Sequence, residues 1–442
     1  MHRLSAHFRQ VPRSLVFAGV ALLAGCATNV FEKASLDIPD QPVDPPTLSL
    51  PVSGESVTDA KDWTARAVPG LKQAFQYSVY GFFPDASKTK ILSRSVIDDQ
   101  AMDGRAVREL IEIRVSARFD GEDVDREAFQ IDLLRPAGDT PYGVILLQSF
   151  CPLDHNHREP AVTHGGSGVS CNGGPLSFIM GQVFKRRISH PPVDAFLDRG
   201  FAIASIHSRD IIPDNPTAGL DALNELAPAR AESDDRWGAI AAWAWIYSRM
   251  IDALEADQNF DSERIVALGH SRFGKSALLA AAFDSRIDAV IANQSGTGGA
   301  ALTRDKEGES VAEITMRYPH WFATVYDNYV GYEHELPVDQ HQLLAMIAPR
   351  PIFLGNARRD VWSDPAGTFR SARAASEVYD LLGVPGLEQN SPKDFNPAGN
   401  IAYWLRGGFH GLEEEDWPPI LEFLDIHLPS PPSPLLGERG QG

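Results

Sequence analysis

Ile265-Val266-Ala267-Leu268-Gly269-His270-Ser271-Arg272-Phe273-Gly274-Lys275-Ser276-Ala277-Leu278-Leu279 decides how this chain is read. Its apolar start predicts a buried strand, its glycines a sharp turn, and its Ala- and Leu-rich end a helix. A serine on such a turn stands at a helix N-terminus, beside amides that lack intrahelical acceptors. Ser271 is placed to attack a carbonyl carbon, and those amides to meet the charge that forms. The spacing departs from the common G-x-S-x-G, because Gly274 falls one residue late. A plain strand-to-helix turn could carry the same letters. The assignment therefore depends on a base and an acid elsewhere in the chain.

Outward from this turn, strand-like and helix-like runs alternate. Strands are predicted at Leu110–Ala117, Phe129–Leu134, Tyr142–Gln148, Phe201–Ile206, Arg264–Leu268, Ala289–Asn293, Pro351–Gly355 and Ile401–Leu405. Helices are predicted at Arg236–Ala256, Lys275–Phe283, Gln340–Ile347, Ala366–Leu382 and Asp416–His427. The later strands are apolar and each precedes a helix-length segment, so they predict a mostly parallel sheet with helices on both faces. The earlier ones alternate and crowd together, which predicts an antiparallel N-terminal edge. The pattern is that of an α/β-hydrolase fold.

In that fold the chain order is nucleophile, acid, histidine. Asp360 follows the strand-like Pro351-Ile352-Phe353-Leu354-Gly355 and is the candidate acid. Asp364 is its neighbour and rival, but directly precedes Pro365 and a helix, so helix capping suits it better. His410, in Arg406-Gly407-Gly408-Phe409-His410-Gly411, follows the last strand on a glycine-flanked loop and is the candidate base. His427 and His341 fall on predicted helices. Asp154-His155-Asn156-His157 has metal-ligating side chains, but no second cluster completes a ligand set, so no metal and no cofactor are expected.

Further motifs bring in a resemblance. The helix Trp237-Gly238-Ala239-Ile240-Ala241-Ala242-Trp243-Ala244-Trp245, the turn Gly269 to Lys275, the stretch Asn293-Gln294-Ser295-Gly296-Thr297-Gly298-Gly299-Ala300-Ala301-Leu302 and Tyr318-Pro319-His320-Trp321-Phe322 together resemble the glucuronoyl esterases, carbohydrate esterase family 15, of the bacterial type. The likeness spans roughly residues 190 to 425. It implies hydrolysis of esters on the carboxyl of (4-O-methyl-)glucuronic acid, as in lignin–glucuronoxylan linkages. It also implies an oxyanion-binding role for Arg272 and substrate contacts for Lys275, Glu309 and Trp362. Many fungal relatives carry the acid just before Ser295, where this chain has Gln294. The burden then falls on Asp360, and Gln294→Ala is expected to have a modest effect. Gln148-Ser149-Phe150-Cys151 differs from the Asn- and Phe-rich strand end of relatives. Two other readings stay open: an acetyl or other carbohydrate esterase on the same residues, and a non-catalytic carbohydrate-binding protein of the envelope.

The chain carries a formal net charge of −19, a field that repels nucleic acid and anionic membrane surfaces. Arg3, Arg9 and Arg13 precede the short apolar run Leu15 to Leu23, and Leu23-Ala24-Gly25-Cys26 matches a bacterial lipobox. Residues 1–26 are thus expected to be a lipoprotein signal, with Cys26 lipidated and the protein held at the outer membrane, facing the periplasm or the surface. A Pro-rich tether at 27–60, one catalytic domain at 61–428 and a disordered tail at 429–442 complete the expected organisation. A monomer is expected, touching membrane only through its lipid. Cys151 and Cys171 are the other cysteines. They either pair, with a bridge contributing roughly 3 kcal/mol, or remain buried thiols.

Overall fold

The strand that ends in Ser271 lies inside a ten-stranded mixed sheet. The computed structural model describes residues 56–125, 128–150 and 189–430, all within one compact unit. Strands β1 (Ala86–Gln100), β2 (Ala106–Phe119), β3 (Glu122–Asp125), β4 (Phe129–Pro136), β5 (Tyr142–Gln148), β6 (Phe201–Ile206), β7 (Phe260–His270), β8 (Ala289–Asn293), β9 (Ile352–Ala357) and β10 (Ile401–Arg406) follow one another in sequence. In space the order is β1-β2-β4-β6-β5-β7-β8-β9-β10, with β3 paired to β2. The pairs from β6 to β10 are parallel. Those joining β1, β2, β3, β4 and β6 are antiparallel. This is the α/β-hydrolase architecture with the antiparallel edge expected from the alternating early strands.

Burial explains which strands were legible. Every residue of β5, β6, β8 and β9 is buried, so they read as unbroken apolar runs. The long edge strand β1 has no buried residue and is rich in Ser, Lys and Asp, and no apolar pattern marks it. It exists because its backbone pairs along β2 from Ala86 to Asp98.

Helices cover both faces. In chain order they are α1 (Val68–Phe75), α2 (Val193–Asp198), α3 (Pro216–Leu226), α4 (Ala239–Leu254), α5 (Arg272–Phe283), α6 (Val311–Arg317), α7 (Gln340–Ala345), α8 (Pro365–Leu381) and α9 (Trp417–His427). Sequence reading missed α1, α2, α3 and α6. Two are capped by local chemistry: Asn215 accepts from Thr217 and Ala218 at the start of α3, and Ser310 and Glu313 form a capping box on α6.

The tryptophan-rich α4 packs under the elbow. Its Tyr247 hydroxyl donates to the Leu268 carbonyl at 3.0 Å, just before the turn. At the C-terminus, the Ser430 hydroxyl donates to the Arg199 carbonyl at 2.9 Å. The signal segment, Cys26, most of the tether, the Asp154–His157 cluster, Cys151, Cys171 and the tail from 431 lie outside the described residues. No helix among the described residues is long and apolar enough to cross a membrane.

Strand register brings distant residues to one sheet edge. His270 pairs with Asn293, Asn293 with Gly355, and Leu405 with Asn356. Ser271, Gln294, the loop after β9 and the loop after β10 therefore emerge side by side, at the carboxyl ends of parallel strands where such sheets bind ligands.

Candidate active site

Ser271 sits at φ 57° and ψ −123°, a conformation that L-residues rarely adopt. A non-glycine residue held there stores roughly 1–3 kcal/mol of strain. The surrounding contacts impose it. The Ser271 amide donates to Asn293 at 2.8 Å, while its carbonyl accepts from Gly274 at 2.9 Å and Lys275 at 3.1 Å. The chain must turn tightly here: a Cβ on Gly269 would lie 2.0 Å from the Phe273 carbonyl oxygen. Gly274 instead faces β8, where its Cβ would come 3.1 Å from Ser295 and 3.3 Å from the Asn293 carbonyl. The late glycine is thus the one that lets α5 approach the sheet, and Phe273 fills the usual glycine position as buried core. Gly269→Ala is expected to destabilise the fold by about 3 kcal/mol or more, because backbone must move. A urea midpoint within error of the parent protein would contradict this.

His410 and Asp360 meet across the two loops. The imidazole Nδ1 lies 2.7 Å from Asp360 Oδ2, and the Ser363 hydroxyl lies 3.3 Å from the same nitrogen. Burial pushes the Asp360 carboxyl up, but the His410 ring and the Ser363 hydroxyl offset this and hold it below the usual value. Asp360 is thus an ionised acceptor that fixes the proton of His410 on Nδ1. Asp364 does what its position before Pro365 suggested: it caps α8, accepting from Gly367 at 2.7 Å.

The His410 ring also packs at 4.7 Å, centroid to centroid, against that of His270, the residue before the serine. His270 Nδ1 lies 2.7 Å from Asn293 Oδ1. Burial, then the neighbouring His410, lowers its pKa to about 3, so it stays neutral. A neutral ring there adds no charge next to His410.

The histidine loop is tied from two sides. Arg406 donates to the carbonyls of Gly407 at 2.7 Å, Phe409 at 2.9 Å and Gly411 at 2.7 Å, and its Nε to Asp416 at 2.8 Å. From β8, Gln294 Oε1 accepts from the Gly411 amide at 2.6 Å, and its Nε2 lies 3.5 Å from the Phe409 carbonyl. The amide that stands where fungal relatives place the acid therefore grips the backbone on both sides of His410. Gln294→Ala is expected to lower kcat by about tenfold, through a looser base rather than a lost charge. A loss as large as that of Asp360→Asn would show instead that Gln294 shares the acid's role.

The remaining candidates gather on one side of the elbow. Arg272 pairs with Asp214, and its guanidinium carbon lies 5.6 Å from the Phe150 ring and 5.3 Å from that of Trp321. Burial lowers its pKa to about 10, which leaves it charged at neutral pH. Lys275 is buried and donates to the carbonyls of Ser295 and Thr297. Burial lowers its pKa to about 8, with Glu309 opposing the shift. Glu309 is 6% exposed, and its amide donates to the Trp362 carbonyl at 3.0 Å. The Trp362 ring is 40% exposed, with the Arg317 guanidinium 5.0 Å from its centre. Glu309 and Trp362 thus share one loop contact two residues from Asp360.

His341 is buried on α7, and His427 Nε2 contacts the Pro397 carbonyl at 2.9 Å. Neither is part of this constellation. No cluster of three or more potential metal ligands occurs among the described residues. Sequence reading missed Asp214, Ser363 and the loop-holding role of Arg406. Asp214 lies in a loop with no motif, and only folding shows that it meets Arg272.

A strained serine elbow beside an Asp–His pair at the carboxyl edge of this sheet defines a carboxylic ester hydrolase of the α/β-hydrolase fold. Comparison with known proteins narrows the class. Residues 221–383 match the family model described as glucuronyl esterase, fungi. The chain is 33% identical over 399 residues to carbohydrate esterase MZ0003 from an unknown prokaryotic organism, covering 87% of this chain and 90% of that one. A promiscuous CE15 esterase from a marine bacterial metagenome superposes with a TM-score of 0.71 at 29% identity, over 89% of this chain and all (100%) of that one. A glucuronoyl esterase from Solibacter usitatus superposes with a TM-score of 0.68 at 30% identity, over 88% and 98% of the two chains. This chain belongs to the glucuronoyl esterases, carbohydrate esterase family 15.

Proposed function

We propose that the protein hydrolyses esters of glucuronic acid and 4-O-methylglucuronic acid, including those that join glucuronoxylan to lignin alcohols, through Ser271, His410 and Asp360. The observation that carries this reading is the Asp360–His410 hydrogen bond of 2.7 Å beside the Ser271 elbow. With Nδ1 engaged, Nε2 is the nitrogen left to take the serine proton. Ser271 Oγ adds to the ester carbonyl as His410 accepts its proton. The oxyanion is met by amides at the start of α5 and by the Arg272 guanidinium. The tetrahedral species collapses, His410 returns the proton to the departing alcohol, and the glucuronate is left as an ester on Ser271. Water, deprotonated by His410, then releases the acid and restores the serine.

Lys275, Glu309 and Trp362 would hold the sugar: two charged side chains for its hydroxyls and an exposed ring for its apolar face. Two buried polar side chains, Lys275 and Glu309, suit a polyhydroxylated ring better than an acetyl group. The family also includes a promiscuous member, which favours testing a broader ester range. The lipobox reading places the enzyme, through a lipid on Cys26, at the outer membrane, where polysaccharide fragments arrive.

The test is hydrolysis by the chain lacking its first 26 residues, on benzyl glucuronate and on an acetylated sugar. Strong preference for the glucuronate supports the proposal. Preference for the acetate keeps the triad and discards the uronate. Turnover of neither moves the protein to the carbohydrate-binding reading.

A further inference from the structure

We propose that Asp214 is a positioning residue for the oxyanion arginine: its carboxylate holds the Arg272 guanidinium in place at the elbow before substrate arrives. The inference rests on the esterase reading given above. It starts from a convergence of three donors on one buried side chain. Asp214 Oδ1 accepts from His320 Nε2 at 3.1 Å and from Trp321 Nε1 at 2.9 Å. Asp214 Oδ2 pairs with Arg272 Nη1, and the Asp214 side chain is only 6% exposed.

The two other donors bring no charge. The Trp321 indole is always neutral. His320 is fully buried, and burial, then Arg236 and Arg272, lowers its pKa to about 4. With Nε2–H directed at Asp214, its Nδ1 carries the lone pair. The neutral pair therefore orients the carboxylate, and Arg272 balances its charge. The frame is rigid. Asn215, the next residue, caps α3, and a Cβ on Gly219 of that helix would lie 2.7 Å from the His320 ring.

Arginine has many rotamers, and a free guanidinium would have to be ordered at the moment charge develops. Here it is held between the rings of Phe150 and Trp321 with one end fixed by Asp214. Donors set in place beforehand need no reorganisation in the transition state. Arg272 Nε is buried without a hydrogen-bond partner among the described residues, so the fork keeps a donor beyond the ion pair. Asp214 does not touch the substrate and acts only through Arg272.

The experiment is a double-mutant cycle on the glucuronate ester, with Asp214→Asn, Arg272→Gln and both together. Asp214→Asn keeps the size of the side chain and an oxygen acceptor for His320 and Trp321. It is expected to lower kcat by about 30-fold with KM changed less than threefold, against about 100-fold for Arg272→Gln. The double variant should be no slower than Arg272→Gln alone. Asp214→Asn within twofold of the parent, or losses that multiply in the double variant, would overturn the proposal. Should Asp214→Asn fold poorly, Trp321→Phe removes one donor and keeps a ring. It should cost severalfold in kcat in the parent and nothing in the Arg272→Gln background; an equal loss in both overturns the proposal. A crystal structure of Asp214→Asn reads the same claim without turnover. An Arg272 side chain displaced or spread over several rotamers supports it, and one left in place overturns it. Failure of the parent enzyme on every ester would instead reject the esterase reading, with the crystal structure still deciding whether Asp214 holds Arg272.

Discussion

Ser271→Ala is expected to lower kcat on the glucuronate ester by a factor on the order of 10⁵ or more, with the fold unchanged. In the proposed mechanism the serine hydroxyl is the group that forms a bond to the substrate carbonyl carbon. His270, adjacent in sequence, is turned into the sheet edge towards Asn293. Alanine has no special aversion to the positive φ of 57° beyond that of serine, so the thermal midpoint should move little. The measurement is single-turnover hydrolysis alongside thermal unfolding. Residual activity above about one per cent of the parent, free of contaminating enzyme, would remove Ser271 from the role of nucleophile.

Asp360→Asn is the second large effect, expected at about 10³- to 10⁴-fold in kcat. In the proposed triad the carboxylate has two tasks. It holds the Nδ1 proton so that Nε2 can act as base, and it stabilises the imidazolium that forms. An amide of the same shape can turn its NH₂ towards Nδ1. That would move the ring proton to Nε2 and leave the base facing the wrong way. Gln294 cannot take over, since its oxygen is committed to the Gly411 amide at 2.6 Å and an amide bears no charge. Ser363, 3.3 Å from the same ring nitrogen, can hold the ring but not its charge. The contrast with the expected tenfold loss for Gln294→Ala is the decisive comparison. Near-parental turnover by Asp360→Asn would reopen the acid assignment.

The parts of the fold and site that were readable in the chain share one property: they are written by neighbours in sequence. The strand–turn–helix around Ser271 is a run of consecutive residues, and its glycines must be where a Cβ would strike backbone. The fully buried central strands announce themselves because both their faces are apolar. Asp360 and His410 could be nominated because topology places the acid and the base after late strands. What was not readable depends on partners far along the chain. Strand β1 buries none of its residues, and its pairing with β2 makes it a strand. Arg406 read only as the start of the histidine loop, yet its guanidinium gathers three loop carbonyls around His410. Gln294 looked like a lost acid and proves to be a backbone clamp.

Sequence by itself determined the class of fold, the elbow serine and the order of the candidate triad, because strand periodicity, glycine geometry and chain order are local or topological matters. Tertiary structure alone decided which side chains act on one another. It placed Asp214 against Arg272 with His320 and Trp321 as neutral donors. It also buried Lys275, which lowers its pKa to about 8, with Glu309 opposing the shift. Hydrogen bonds and charge interactions fall off within a few ångströms, so their strength is set by distances that only the folded chain defines.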